Sequence, residues 1–271
     1  ASAESRGANP VRPAIVFIHG GAWLAGDKED VLDEPVILDA AEQAGFHLIS
    51  VGYRLAGIAP DTAPWPAQIH DVNAAIRWIK QNAAMLDVDP ERLVLVGGSA
   101  GAHIAAAAAY GSDVNELQGP ENLVPPTQTD VALAFLIFGA YDMNMISQDG
   151  FDLVDDGTCN VLDLVGITAV VVLLDCGFSL EVDPLAGCSQ DALDSASPVM
   201  NVDSSDPPSY LVHGRDDCVV PYLQTVGMES ALNIAGVTNE TMIVADGVHD
   251  SMSLMLDVEG ILEFIDDNME P

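Results

Sequence analysis

The chain has 271 residues, 49% of them hydrophobic, and carries 42 Asp and Glu against 8 Lys and Arg, a formal charge of −34. The length fits one large α/β domain with an insertion, and the apolar content excludes a disordered chain. A surface of this sign repels nucleic acid and anionic membranes, so neither is an expected partner. Along the chain, residues 1–12 read as a leading loop or edge strand, and Pro13 to Ile18 as an apolar strand that leaves into His19-Gly20-Gly21-Ala22-Trp23. Helical spacing runs from Glu34 to Gly45, where the glycine is a stop, and His47 to Tyr53 is the next strand. A Pro-rich loop over 54–66 leads into an amphipathic helix from Ile69 to Leu86, with Ile69, Val72, Ile76 and Ile79 on one face. Asp89-Pro90 reads as a turn before a central strand starting at Arg92, followed by a small-residue helix to about Tyr110.

A polar loop over 111–129 precedes a strand from Val131 to Phe138. From about 144 to 194 the alternation of strand and helix stops, and acidic residues, three cysteines and one apolar stretch are mixed. This segment is expected to be a lid inserted between a core of 1–143 and 195–271. Its longest apolar run, Val165 to Leu174, is a buried strand or helix and is too short to span a membrane. The core resumes with a strand from Pro207 to Val212, a helix from Val226 to Ala235, a short strand from Thr241 to Val244, the loop Gly247 to Ser251 and a closing helix from Leu254 to Asn268. Strands alternating with helices imply a mostly parallel central sheet with helices on both faces, and a site built from loops at the carboxyl ends of its strands.

The chemistry centres on Gly97-Gly98-Ser99-Ala100-Gly101, a Gly-x-Ser-x-Gly motif with a β-branched and leucine run before it and alanines after it. Strand, tight turn and helix at this spacing present a serine hydroxyl above the sheet, at the positive end of a helix. A free hydroxyl hardly ionises at neutral pH, so Ser99 needs a general base, an orienting acid and donors for an oxyanion. Of the six histidines, His249 alone sits late, on a Gly-flanked loop between the last strand and the last helix. His47 and His70 read as packing or surface residues, and His19 and His213 belong to strand-end turns. His103 reads as a structural hydrogen-bonding residue one turn below Ser99, or as part of the pocket. The acid is Asp217 or its neighbour Asp216. The small residues Gly21 and Ala22, with Ala100 after the nucleophile, are the expected oxyanion donors. Trp23 reads as a structural residue, or as a wall of the substrate pocket. Tyr53-Arg54 and Asp71 form either a polar network under the site or a surface ion pair.

With these residues in place the chain resembles the α/β-hydrolase superfamily, and within it the hormone-sensitive-lipase-like carboxylesterases and their feruloyl- and acetyl-xylan-esterase-like relatives. The likeness rests on His19-Gly20-Gly21-Ala22-Trp23, Gly26-Asp27-Lys28, Tyr53-Arg54-Leu55, Asp71 with Ala75-Ile76-Arg77-Trp78, Asp89-Pro90-Glu91-Arg92, Gly97 to His103, Ser195 to Val199, His213-Gly214-Arg215-Asp216-Asp217 with Val220-Pro221, and His249. It implies the α/β-hydrolase fold and cofactor-free, metal-free hydrolysis of small-molecule esters through an acyl-enzyme, with Ser99, Asp217 and His249 as the triad. The resemblance selects Asp217 over Asp216. Ala22 stands where a third glycine is common, and Asp250 where a glycine usually follows the histidine. Acetyl or feruloyl esters on plant polysaccharide, or peptides and amides, are the alternative substrates. The substrate stays open because residues 144–194 match none of these motifs.

Lys28 and Lys80 are the only lysines, and the aspartate excess reads as adaptation to salt or as a very acidic secreted protein. Ala1-Ser2-Ala3 reads as a trimmed mature end, in line with a secreted or periplasmic location. Cys159, Cys176, Cys188 and Cys218 contain no Cys-x-x-Cys pair, which argues against a metal site and for two disulfides. Of three connectivities, Cys159–Cys176 with Cys188–Cys218 is expected. A homodimer is left open.

Overall fold

The computed structural model describes residues 11–57, 62–120, 128–155, 157–159, 165–176, 183–250 and 258–269. The expected leading strand over most of 1–12, Pro60 of the Pro-rich loop and the start of the last helix at Leu254 lie outside the described residues.

Six strands form one sheet: β1 (Arg12–Ile18), β2 (His47–Val51), β3 (Val88–Gly98), β4 (Leu133–Ile137), β5 (Ser209–Gly214) and β6 (Asn239–Val244). They lie in the order β2-β1-β3-β4-β5-β6, every neighbouring pair parallel. The helices are α1 (Pro35–Ala44), α2 (Ala67–Gln81), α3 (Ala83–Leu86), α4 (Ala100–Tyr110), α5 (Asn115–Gln118), α6 (Ile146–Asp155), α7 (Val165–Leu173), α8 (Gln190–Ser195), α9 (Leu223–Ala235) and α10 (Val258–Asn268). Parallel strands need crossovers, and the crossovers cover both faces. Side chains alternate accordingly: Ala14, Val16, Ile18, Leu93, Leu95 and Leu136 face a core shared with α2, α4 and α7. Ile15, Phe17, Val94, Val96, Phe135 and Ile137 face a second core closed by α1 and α10.

α4 sits in the middle of the first core, and all eleven of its residues are buried. A helix that is apolar all round belongs in an interior. Its run from Ala105 to Ala109 keeps that interior thin enough for α4 to lie on β3 and β4.

Two boundaries shift furthest from the sequence reading. The amphipathic helix stops at Gln81; Asn82, whose side-chain amide donates to the Trp78 carbonyl, separates it from the single turn α3. β3 begins at Val88 rather than Arg92. Val88 pairs with Arg12 and Leu93 with Ala14, so the residues between bulge out, and Asp89 holds the bulge by accepting from the Glu91 N–H and the Arg92 guanidinium.

Within the irregular segment, the Val165–Leu174 run is helical as α7, with Ile167, Val170 and Leu173 buried in the first core. The expected cysteine pairing is corrected. The bonds are Cys159–Cys218 and Cys176–Cys188. Proximity in sequence favours the short loop closed by the second bond, but α6 leads residue 159 back to the loop after β5. There the close approach of α7 to Val219 brings the two chains together: a Cβ on Gly166 would lie 2.1 Å from the Val219 carbonyl oxygen. The Cys159–Cys218 bond spans 59 residues and the other spans 12. In the chain-entropy account, removing the first should cost about 4 kcal/mol and removing the second about 3 kcal/mol. Urea denaturation of Cys159→Ser/Cys218→Ser beside Cys176→Ser/Cys188→Ser measures this. A larger loss from the short loop would contradict it.

Candidate active site

Ser99 is the hinge between β3 and α4. Its backbone sits at φ 57°, ψ −123°, a conformation that ordinary side chains rarely adopt. The Ser99 N–H donates to the Ile137 carbonyl at 2.9 Å, which pins the turn to the end of β4. The flanking glycines are sterically required. A Cβ on Gly101 would lie 2.1 Å from the Ile18 carbonyl oxygen, and one on Gly97 would lie 2.4 Å from the Gly101 backbone.

His249 comes from the loop after β6. Its Nε2 lies 2.9 Å from Ser99 Oγ and its Nδ1 lies 2.6 Å from Asp217 Oδ2. The Phe138 ring packs on the imidazole with 4.5 Å between centroids. Phe138 is itself at φ 41°, at the end of β4. Asp217 is fully buried, whereas Asp216 is exposed. Oδ1 of Asp217 accepts the Val219 and Val220 N–H groups at 2.8 and 2.9 Å, and Oδ2 also lies 3.2 Å from His213 Nε2. Burial on its own would raise this carboxyl; the hydrogen bonds from His213 and His249, with their charges, outweigh it and bring it down to about 2. His213 Nε2 faces the Val220 carbonyl at 2.9 Å, so that nitrogen carries a proton, and Nδ1 lies 2.7 Å from the Thr225 hydroxyl.

The loop after β1 supplies the other wall. Gly21, Ala22 and Trp23 have successive φ values of 103°, 53° and 62°. Backbone units twisted this way direct amides into a concavity. Gly21 cannot be otherwise, since a Cβ there would lie 2.2 Å from the Ala25 carbonyl oxygen. The loop is braced from beneath. The Tyr53 hydroxyl donates to the His19 carbonyl at 3.0 Å, and the Tyr53 and His19 rings stack at 4.2 Å. Burial, with the charge of Asp30, holds the Tyr53 phenol well above its ordinary range, so it stays a donor. Arg54 and Asp71 form a two-pronged pair at 2.8 and 2.9 Å beside it, half open to solvent. Gly21, Ala22, Ser99 and His249 line one cavity of about 350 Å³, and Ala100 opens α4 directly behind Ser99.

Trp23 and His103 take the structural reading, and the alternative that they wall the pocket is corrected: neither is among the described lining residues of the cavity that holds Ser99 and His249. Trp23 is 3% exposed and His103 fully buried, because they satisfy each other: Trp23 Nε1 donates to His103 Nδ1 at 3.0 Å, and His103 Nε2 faces the Ala196 carbonyl at 2.9 Å. Burial lowers the His103 imidazole to about 4, against the opposing effect of that carbonyl, so it is a neutral strut. Residues the sequence reading missed are Phe138, Val219 and Glu34, all on the cavity wall. Phe138 and Val219 follow the carboxyl ends of β4 and β5, the position where α/β sheets place ligands, and that signal was available. Glu34 had none.

Comparison with known proteins follows the same lines. The chain is 28% identical over 243 residues to Esterase LipQ of Mycobacterium tuberculosis, covering 89% of this chain and 51% of that protein, so it spans about half the relative's length. A solved carbohydrate esterase from gut microbiota superposes with a TM-score of 0.71 at 26% identity, covering 94% of this chain and 87% of the other. Esterase 2 of Thermogutta terrifontis, at 21% identity and a TM-score of 0.67 over 98% of this chain and 88% of that one, shares the α/β-hydrolase fold. The BD-FAE family matches residues 3–232, most of the chain, and this protein belongs to that family of α/β hydrolases.

Proposed function

We infer that the chain hydrolyses carboxylic esters of short acyl chains through a covalent acyl-enzyme. The reading is carried by the hydrogen-bonded row from Ser99 Oγ through His249 to Asp217, at 2.9 and 2.6 Å. In this reading Ser99 Oγ attacks the ester carbonyl carbon while its proton passes to His249 Nε2. The carbonyl oxygen becomes an oxyanion facing the N–H groups of Gly21, Ala22 and Ala100. As the tetrahedral species collapses, the carbon–oxygen bond to the alcohol breaks and His249 returns the proton to the leaving oxygen. A water then attacks the acyl-Ser99 ester, giving a proton to His249; as the bond from the acyl carbon to Oγ breaks, His249 returns that proton to Ser99 Oγ and the acid leaves. Asp217 holds Nδ1–H, which keeps Nε2 free to accept.

The apolar side chains of Phe17, Ile37 and Ile137 limit the cavity and favour small acyl groups. The name of the gut carbohydrate esterase supports a narrower reading, in which the ester sits on a polysaccharide. Segment 144–194 acts as a lid in this proposal, since α7 and the Cys159–Cys218 bond bear on the loop that holds Asp217. Two disulfides suit an oxidising compartment outside the cytoplasm, and the charge of −34 suits salt. A series of p-nitrophenyl esters from acetate to laurate, run at low and high NaCl, tests it together with a fluorophosphonate probe. Turnover should fall with chain length, hold or rise with salt, and the probe should map to Ser99. No turnover and no label would remove the reading.

A further inference from the structure

The hydrogen-bonded row from Ser99 does not end at Asp217. Oδ2 of that carboxylate faces two imidazoles, His249 Nδ1 at 2.6 Å and His213 Nε2 at 3.2 Å, while Oδ1 is taken by the Val219 and Val220 N–H groups. The Val220 carbonyl, 2.9 Å from the same His213 nitrogen, can only accept, so Nε2–H lies between that carbonyl and the carboxylate. On the far side of the ring, Nδ1 lies 2.7 Å from the Thr225 hydroxyl. Thr225 also bonds the Tyr141 hydroxyl, which accepts the Gly139 N–H at 3.3 Å. Ser99, His249, Asp217, His213, Thr225 and Tyr141 thus form one continuous polar row from the site into the core, and its last four members are fully buried.

Both His213 nitrogens are satisfied, so the ring is fixed and one N–H is held against the carboxylate that orients His249. A second donor on Oδ2 draws carboxylate charge away from His249 Nδ1–H. The imidazolium that forms when His249 takes the Ser99 proton is then held less tightly than by a carboxylate with His249 as its sole imidazole partner. The sign is the same in either charge state of His213: a neutral ring offers a dipole to Oδ2, a protonated ring offers a charge as well. The Thr225 hydroxyl, able to donate or accept, suits both. Other charged groups close by in the structure or the chain are Glu34 on the cavity wall, Asp246 and Asp250 in the loop that carries His249, and Arg215 and Asp216 in the turn after β5; the ring packed on His249 is the apolar Phe138.

We propose that His213 is a positioning residue for ester hydrolysis: by sharing Asp217 Oδ2 it weakens the carboxylate's grip on His249 and so sets the pH at which the general base comes into play. The proposal rests on the ester-hydrolysis reading of Ser99 and His249. The measurement is kcat/KM for p-nitrophenyl acetate from about pH 4 to about pH 9, read at a wavelength where phenol and phenolate absorb equally. The midpoint of its acidic limb reports the His249 imidazole in the free enzyme. His213→Met removes the donor at similar volume and should move that midpoint up by about half a unit or more. His213→Gln brings an amide N–H to the place of Nε2–H and should return the midpoint to within about 0.2 of native. A residue that only filled the core would change kcat or stability and leave the midpoint where it is. An unmoved midpoint in His213→Met, a downward shift, or a His213→Gln protein that moves as far as the Met variant would overturn the proposal. Should the Met variant not fold, 15N-resolved spectra of the native protein carry the test. The His213 Nε2–H signal should move with the same midpoint as the His249 ring, because Oδ2 divides itself between the two donors, and a signal that stays flat through that transition would overturn it. An inactive native protein would be a different result: it would take down the ester reading, while the spectra would still decide whether the two rings share Oδ2.

Discussion

Replacing Ser99 with alanine is expected to lower kcat on a p-nitrophenyl ester by about 10⁵–10⁶, and replacing His249 with alanine by a similar factor. The two losses should not add. With either group gone, no hydroxyl can be activated at 2.9 Å from an imidazole, so the double variant should be no slower than the singles. What rate remains would come from binding and the oxyanion amides. Folding should respond in the opposite sense at one position. Ser99 holds a backbone at φ 57°, ψ −123° that glycine adopts freely, and such a residue stores about 1–3 kcal/mol of strain. Ser99→Gly should therefore be as inactive as Ser99→Ala while gaining about 1 kcal/mol in stability. Stopped assays with active-site titration, beside urea denaturation of the three proteins, measure both sides. A Ser99→Ala enzyme retaining more than a few per cent of native turnover would remove the nucleophile from the mechanism.

The parts legible in the sequence were those where local pattern and fold agree. Gly97 to Gly101 could be read because the turn it makes tolerates few other residues: an added Cβ at Gly97 or Gly101 would lie 2.1–2.4 Å from the nearest backbone atoms. The strands could be read because both faces of a parallel sheet are buried, which leaves continuous apolar runs such as Leu93 to Val96. His249 and Asp217 could be ordered along the chain, but only the fold sets them 2.6 Å apart across 32 residues of sequence. The disulfides failed for the same reason in reverse. Cys159 is nearer Cys176 in sequence, yet the tertiary path of α6 and α7 delivers it to Cys218, one residue past the buried acid. Trp23 and His103 are polar-tipped residues near a site, and sequence cannot tell a wall from a strut when each satisfies the other's hydrogen bond. Glu34 was invisible because its place on the cavity wall depends on where the loop before α1 lies relative to Ser99, and no spacing rule encodes that.

Asp217→Asn is the second variant with a large expected effect, a fall of about 10⁴ in kcat with the site geometry preserved. The amide oxygen can still accept the Val219 and Val220 N–H groups that Oδ1 accepts now. The amide NH₂ then faces His249 Nδ1, which must accept instead of donate. The proton moves to Nε2, and the nitrogen 2.9 Å from Ser99 Oγ can no longer take the serine proton. The same change should be seen in stability. The folded carboxyl at about 2 lies below its ordinary value of 3.8, so the native state binds fewer protons than the unfolded chain at intermediate pH. The stabilisation is therefore fully present above about pH 4 and is lost as pH falls towards 2, a swing of about 2 kcal/mol. Native protein and Asp217→Asn should thus differ in unfolding free energy at pH 7 and converge as the pH falls towards 2. Chemical denaturation across that range, paired with ester kinetics at pH 7, tests both halves. Native-like turnover in a folded Asp217→Asn protein would mean that the imidazole is oriented by something else, with His213 and the backbone of residues 219 and 220 serving only to keep a buried charge satisfied.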